Sequence, residues 1–398
     1  MPAPIAEWLN LLLRWTHVVA AILWIGDSFL FMWMDASLEP PSRPREGDVS
    51  GELWMVHSGG FYEVVKRRVL APGEVPQHLH WFRWQAYTTW ISGFALLVVV
   101  YWVGGAAFMV DRAVLPLTQT EAVAASLAVI VSGWLLYDAI WTSPLVRAPR
   151  AAATLSLALL AAAIFGLCHL YSGRAAFLHV GAMLGTLMAA NVWRRIIPAQ
   201  QQMIAATRAG RPADASLGAR AKQRSIHNHY LTFPVLFTML SNHFPSTYGH
   251  PLPWLVLVLF VAFGMSVKYW MNFRSRTPAL VVATVFVSLG ALLALTLAPR
   301  RPSAAMAAST LGPVEFSTVD AILERRCMTC HSRHPSNPSF PQPPAGVTFD
   351  DPAHVVALAP RIRVRAVETK TMPLGNLTGM TDAERDTLAA WIDAGAQR

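Results

Sequence analysis

Eight apolar runs, each long enough to cross a bilayer, dominate this chain and leave little freedom in how it can fold. They fall at about 8–34, 81–108, 120–142, 151–171, 175–195, 228–246, 252–271 and 278–298. Backbone amides in hydrocarbon must be satisfied within the segment itself, so such runs are predicted to be helices. Composition agrees: 54% of the 398 residues are hydrophobic and only 14% charged, where a soluble domain carries about 25%. The first run is not read as a cleavable signal, because no basic stretch precedes it and it is too long.

Charge sorts the connections. The loop after segment one carries Arg43, Arg45, Lys66, Arg67 and Arg68, and the loop after three carries Arg147 and Arg150. The loop after five carries Arg194, Arg195, Arg208, Arg211, Arg220, Lys222 and Arg224, and the loop after seven Arg274 and Arg276. The loops after two and four have one arginine each, Arg112 and Arg174, and the loop after six has none. The excess of Lys and Arg in odd-numbered loops predicts that these are cytoplasmic and that both termini lie outside. The net charge of +9 is thereby explained by topology, and no nucleic-acid partner is expected.

A second, independent feature constrains the C-terminus. Cys327-Met328-Thr329-Cys330-His331 has the spacing of a covalent haem c site, with two thiols for the porphyrin vinyl groups and His331 as proximal ligand. A redox dithiol or half a zinc site is the bland alternative, but no second Cys pair follows. Haem c is attached outside the cytoplasm, which agrees with the charge argument. Residues 299–315 read as a Pro/Ala/Ser-rich linker between a 1–298 transmembrane domain and a 316–398 cytochrome c domain. Within the latter, 316–326 reads as a short helix, and Thr381 and Glu384 as the capping box of a last helix with Leu388, Trp391 and Ile392 on one face. Met372-Pro373, 41 residues after His331, is the expected sixth ligand, with Met380 as rival. His334 and His354 read as surface histidines. The expected fold is all-α: an eight-helix transmembrane bundle followed by a small α-helical class I cytochrome c domain. Such a domain binds one haem c and carries electrons.

Intramembrane ionisable residues are costly and usually functional. His17, His169, His179 and His243 fall in the outer half, and they are the expected ligands of at least one non-covalent haem b. His229 and His243 are 14 residues apart, so on one ideal helix they stand about 40° apart and roughly 21 Å in height. Pro234 between them can bend that helix. His17-x6-Trp24-x-Gly26 resembles the first helix of HemJ-type membrane haem proteins, where the histidine is a haem ligand. At the inner ends lie His78, His80, His227 and His229, with Asp27, Asp35, Arg83, Trp84, Asp138, Trp141, Asn228 and Tyr230. Gly59-Gly60-Phe61-Tyr62-Glu63 adds to this face. Arginine, aromatic rings and amides suit a flat anionic heterocycle, although helix-end snorkelling explains the same residues one by one. Asp27, Asp138, His227 and His229 are the candidate catalytic groups.

The whole architecture resembles the bacterial membrane-bound urate hydroxylase family of the PuuD type. The resemblance is carried by the run from Arg14 to Phe31, by His227-Asn228-His229-Tyr230 and by Thr371-Met372-Pro373-Leu374-Gly375-Asn376. It implies oxidation of urate to 5-hydroxyisourate with water as oxygen source. Electrons would pass through haem c to a periplasmic cytochrome or respiratory oxidase, in a bacterial inner membrane with both termini periplasmic. Two other classes share parts of the pattern: a quinol-to-cytochrome c relay without substrate chemistry of its own, and a cytochrome-fused transporter.

Overall fold

Where the apolar runs were expected, helices form. The computed structural model describes residues 3–104, 108–273, 276–297 and 314–398. The bundle comprises α1 (Ala3–Ala36), α2 (Trp84–Leu96), α3 (Gln119–Thr142), α4 (Pro149–Cys168), α5 (Gly173–Asn191), α6 (Ile197–Arg208), α7 (Ala215–Leu240), α8 (Pro253–Asn272) and α9 (Ala279–Leu297). Among the described residues seven helices are long and apolar enough to cross a membrane, compatible with a membrane protein. α7 is not among them, because its first half carries Arg220, Lys222 and Arg224. It begins thirteen residues before the expected 228 and ends at Leu240, so His243 lies beyond it in a 3-10 turn, Ser241–His243. The expected stacking of His229 and His243 on one helix is lost to that helix end. Pro234 stays inside the helix.

α5 is the central helix. Ala175, Ala176, Phe177 and Val180 on it are fully buried, and it packs against α3, α4 and α7. The fit to α7 is close. A Cβ at Gly181 would lie 2.2 Å from Thr238 Oγ1, and small residues are what let helix backbones approach in this way. Outward surfaces are apolar: Trp8, Trp15 and Ile22 on α1 and Leu280, Phe286 and Val287 on α9 are all more than half exposed. Lipid is the natural cover for such a surface.

Two π-helical turns interrupt the bundle helices, Leu97–Val103 after α2 and Val192–Ile196 between α5 and α6. A third, Arg363–Glu368, lies in the C-terminal unit. Each inserts a residue into the helical register.

An all-α fold was expected, and here the structure corrects it. Residues of the first long loop form an antiparallel hairpin, β1 (Val49–His57) and β2 (Gly60–Arg67). Trp54, Met55, Val56, Phe61, Tyr62, Val64 and Val65 give it strand propensity. Ser58 and Gly59 both take positive φ, 51° and 75°, which is the two-residue I′ turn that matches strand twist. Glu52 on β1 accepts from Ser42 and from Arg45. These bonds, led by those from Ser42, hold its carboxyl down at about 2.

The C-terminal unit contains α10 (Phe316–Arg326), α11 (Pro352–Ala357) and α12 (Asp382–Asp393) around Leu323, Ile322, Leu388, Trp391 and Met380. The Thr381/Glu384 capping box forms as expected. Most of the expected linker, 299–313, and Arg274 lie outside the described residues. The unit sits on the bundle end made by the α2–α3 and α7–α8 connections. Phe108 meets Phe340 at 6.1 Å between ring centroids. The Arg112 amide donates to Gly375 O at 3.5 Å, and Arg365 Nη1 donates to Tyr248 OH at 3.1 Å. Thr369 closes on Gly249, where a Cβ would come within 2.7 Å of it. By helix alternation the Arg/Lys-rich connections lie at the other end.

Gly249→Leu should therefore dislodge the C-terminal unit while leaving both parts folded. Limited proteolysis between the bundle and residue 316 should accelerate in this variant, with an unchanged melting transition of the bundle.

Candidate functional site

The Cys-x-x-Cys-His segment is held by its own backbone. Cys327 caps α10 by donating to Leu323 O at 2.8 Å, and the His331 amide donates to Cys327 O at 2.9 Å. His331 Nδ1 lies 3.0 Å from Val347 O. A carbonyl can only accept, so Nδ1 carries the proton and Nε2 is left with a lone pair. Metal-ligating histidines are oriented in this manner. Phe349 meets the His331 ring edge-on, 5.6 Å between centroids. Burial lowers the His331 pKa, which favours the neutral ligand form. Burial also pushes the Cys327 thiol up to about 12, the opposite of what a redox dithiol needs. Among the described residues no three His, Cys, Asp or Glu side chains converge as a metal-ion site, which leaves nothing to complete the zinc alternative. The donor set fits a haem c: two thiols for thioether bonds and one oriented imidazole.

The two methionines occupy different environments. Met380 is 3% exposed, within the apolar core, its backbone clamped by Asn376 through bonds of 2.9 and 3.2 Å. Met372 is half-buried in the loop that follows the π-helical turn, just before a cis peptide to Pro373. Its amide donates to Arg365 O at 2.9 Å, and Arg385 Nη1 donates to its carbonyl at 2.8 Å. Met372 is thus held by its backbone, outside the apolar core that encloses Met380. His334 is exposed and His354 half-buried against Thr348.

Of the four outer histidines, the structure brings two together. His17 and His243 line one cavity of about 390 Å³ at the docking end, with Arg14, Trp24, Trp90 and Arg174. His179 is fully buried elsewhere, with Nδ1 at 2.7 Å from Ala175 O and Nε2 at 2.8 Å from Ser126 Oγ, so both ring nitrogens are occupied. His169 is exposed and lies against Phe165. Cys168 is buried beside it in the core.

At the opposite end the candidate catalytic groups separate. Asp138 is paired with Arg224 at 3.0 Å and bidentately with Arg195. His227 and His229 leave α7 on opposite sides. His227 Nδ1 is 2.7 Å from Tyr137 OH and its ring packs 4.2 Å from Trp141. Asn191 Nδ2 donates to Tyr137 OH and to Asn228 Oδ1, which leaves the Tyr137 proton for His227. His229 Nδ1 instead meets Ser28 Oγ at 2.7 Å. Asp27, half-buried, has a carboxylate oxygen enclosed without a partner. Of the four, Asp27 is the carboxylate left free for chemistry. Arg83 stacks near Trp81 and Trp84, at 5.8 Å from each ring, and Asp35 pairs with Lys66 and Lys222. Phe61 and Tyr62 project from the exposed hairpin. His78 and His80 line an open cleft of about 540 Å³ with Trp81, Gln201 and Arg208.

Several functional-looking groups escape sequence reading. Arg195 and Arg224 read there only as topology charges, although Arg224 stands one helical turn before His227. Nothing in the sequence marks Tyr137 as the partner of His227, except that it precedes Asp138. Lys268, fully buried with Nζ 3.2 Å from the Phe29 ring centroid, sits in an apolar run without any local signal.

Fold and site together define a helical bundle with a fused C-terminal unit that bears the Cys-x-x-Cys-His motif. The family model described as "Urate oxidase N-terminal" matches residues 3–298, the whole bundle, and the chain belongs to that family. This ties it to urate-related oxidation and to the oxidoreductases. Neither a curated protein nor a solved structure matches the chain.

Substitutions separate these roles. Met380→Ala should cost about 2–5 kcal/mol of stability in the C-terminal unit through the cavity it leaves, with Met–iron ligation intact. Met372→Ala should keep covalent haem but lose the Met–iron absorption band. Asp138→Ala should lower bundle stability by about 3–5 kcal/mol, because Arg224, only 4% exposed, is left uncompensated. Thermal melts in detergent check this, and Arg195→Ala should cost less.

Proposed function

We propose that this chain is a membrane-bound urate hydroxylase of the PuuD type. It oxidises urate to 5-hydroxyisourate and passes the electrons through a haem c on the C-terminal unit to a periplasmic cytochrome or respiratory oxidase. The observation that carries this reading is that the unit bearing a Cys-x-x-Cys-His motif is seated, through Arg365 and Tyr248, on a bundle of the urate oxidase family. Urate and water give 5-hydroxyisourate, two protons and two electrons. The oxygen comes from water, and no dioxygen is consumed.

The bundle crosses the bacterial inner membrane eight times, α7 included. Its Arg/Lys-rich end is cytoplasmic and its docking end periplasmic, with both termini outside. α7 can cross despite Arg224, because that charge is matched by Asp138 inside the bundle. Urate enters from the cytoplasmic side, where the cleft offers Arg208 to the anion, Gln201 to its amides and Trp81 to its flat ring. Asp27 is the proton acceptor in this reading, as the carboxylate with an oxygen that no neighbour engages. His227 takes its Nδ1 hydrogen bond from Tyr137 and so keeps its own proton on Nε2. Cys327, Cys330, His331 and Met372 would hold the haem c, which supplies one-electron transfer when bound. Arg365 and Tyr248 fix the distance from the bundle to that unit.

Anaerobic urate added to detergent-purified protein should reduce haem c, with two haem equivalents reduced per urate consumed. Met372→Ala should retain its covalent haem and lose transfer to the acceptor by at least tenfold. Reduction by a quinol but not by urate would overturn the assignment in favour of an electron relay.

A further inference from the structure

The docking-end cavity is built for a plate-like ligand with an acidic edge. It follows α1 from Arg14 to Ile25, eleven residues, or about 16 Å of helix. Its walls are mostly apolar, with Trp24, Trp90 and Phe94 among them. Its two arginines are Arg14, the twelfth residue of α1, where its Nε donates to Asn10 Oδ1 at 2.5 Å, and Arg174 at the start of α5. Arg174 is steadied by Asn242 Oδ1, which accepts from its Nε at 3.1 Å.

His17 lies one turn below Arg14 and faces this space. Its Nδ1 is 2.9 Å from Thr89 O and 3.2 Å from Ser92 Oγ. The carbonyl fixes the tautomer: Nδ1 is protonated and Nε2 carries the lone pair. This is the arrangement seen at His331 with Val347, and it is what orients an imidazole for a metal. Gly93 makes room for it, since a Cβ there would lie 2.7 Å from His17 Cε1. Gly185 also lines the cavity, and a Cβ there would have no atom within 4 Å. By contrast His179, with both nitrogens bonded, cannot ligate without losing a partner.

We propose that this cavity holds one non-covalent haem b, with His17 Nε2 as an iron ligand and Arg14 and Arg174 paired with the propionates. The four histidines expected to serve such a haem reduce to the pair on this cavity, and His17 is the one prepared by its neighbours. The porphyrin plane takes the apolar walls, and its carboxylates take the two arginines. Tyr248, buried between the bundle core and Arg365, connects this region to the C-terminal unit. The site is independent of which substrate the bundle oxidises.

The test is a haem inventory on the full-length protein in mild detergent. Pyridine haemochrome spectra of the wild type should show haem c and haem b in equal amounts, with only haem b removed by acid acetone. His17→Gly should lose haem b at least tenfold while haem c stays stoichiometric, which also reports that the chain has folded. Haemin with free imidazole should restore the b-type bands to that variant. Gly185→Leu should also exclude haem b, because its side chain starts from a Cβ with open space around it on the cavity wall. Covalent haem alone in the wild type, a quinone extracted in place of haem b, or full haem b in His17→Gly would each overturn the proposal. Reduction of haem c by urate is read separately in the same preparation, so this inference and the urate reading fail independently.

Discussion

A bundle whose outer face is apolar has to satisfy its polar groups inwardly. That constraint explains most of what is arranged here. Asp138 faces Arg195 and Arg224, Tyr137 is bonded between His227 and Asn191, and Ser28 meets His229. Each pairing joins different helices: α3 to α5–α7, or α1 to α7. The polar contacts therefore fix which helices are neighbours, while α5, packed all round, supplies the apolar centre. Polar groups that escape this satisfaction are few, and Asp27 is one of them.

The sequence was most informative where one physical effect dominated. Apolar length placed α1 to α5, α8 and α9, and capping chemistry placed α12 from Thr381 and Glu384; α6 lies in what reads as a loop. Where two effects competed, it was less so. The first connection has alternating apolar residues and a Ser-Gly turn, but within a loop bounded by spanning helices it reads as mere linker, and the hairpin was missed. α7 mixes a basic half with an apolar half, so its start was set too late. His243 looked stackable on His229 because nothing local shows that the helix stops at Leu240.

The candidate site was legible to a similar degree. Cys327, Cys330 and His331 stand out in the sequence by their spacing, and Met372 by its place before Pro373. That Met380 lies in the apolar core and Met372 outside it is a tertiary fact that the sequence does not carry. Histidine identity marked His17 and His179 equally. Their difference lies in which ring nitrogens are engaged, Nδ1 with Thr89 O and Ser92 Oγ for one and both nitrogens, with Ala175 O and Ser126 Oγ, for the other. Arg224 and Asp138 were seen apart, as a topology signal and a catalytic candidate, and they turn out to cancel each other's charge.

The three π-helical turns sit where the molecule's parts meet. Leu97–Val103 carries Tyr101 and Val100 to the cavity wall, Val192–Ile196 carries Arg195 to Asp138, and Arg363–Glu368 carries Arg365 to Tyr248. A π turn is an α-helix with one residue too many. Removing that residue would rotate everything beyond it by about 100° relative to the helix before it. The chain can thus vary the side chains of these segments more freely than their length. Single-residue deletions there change which helix faces meet, a form of brittleness that point substitutions do not probe.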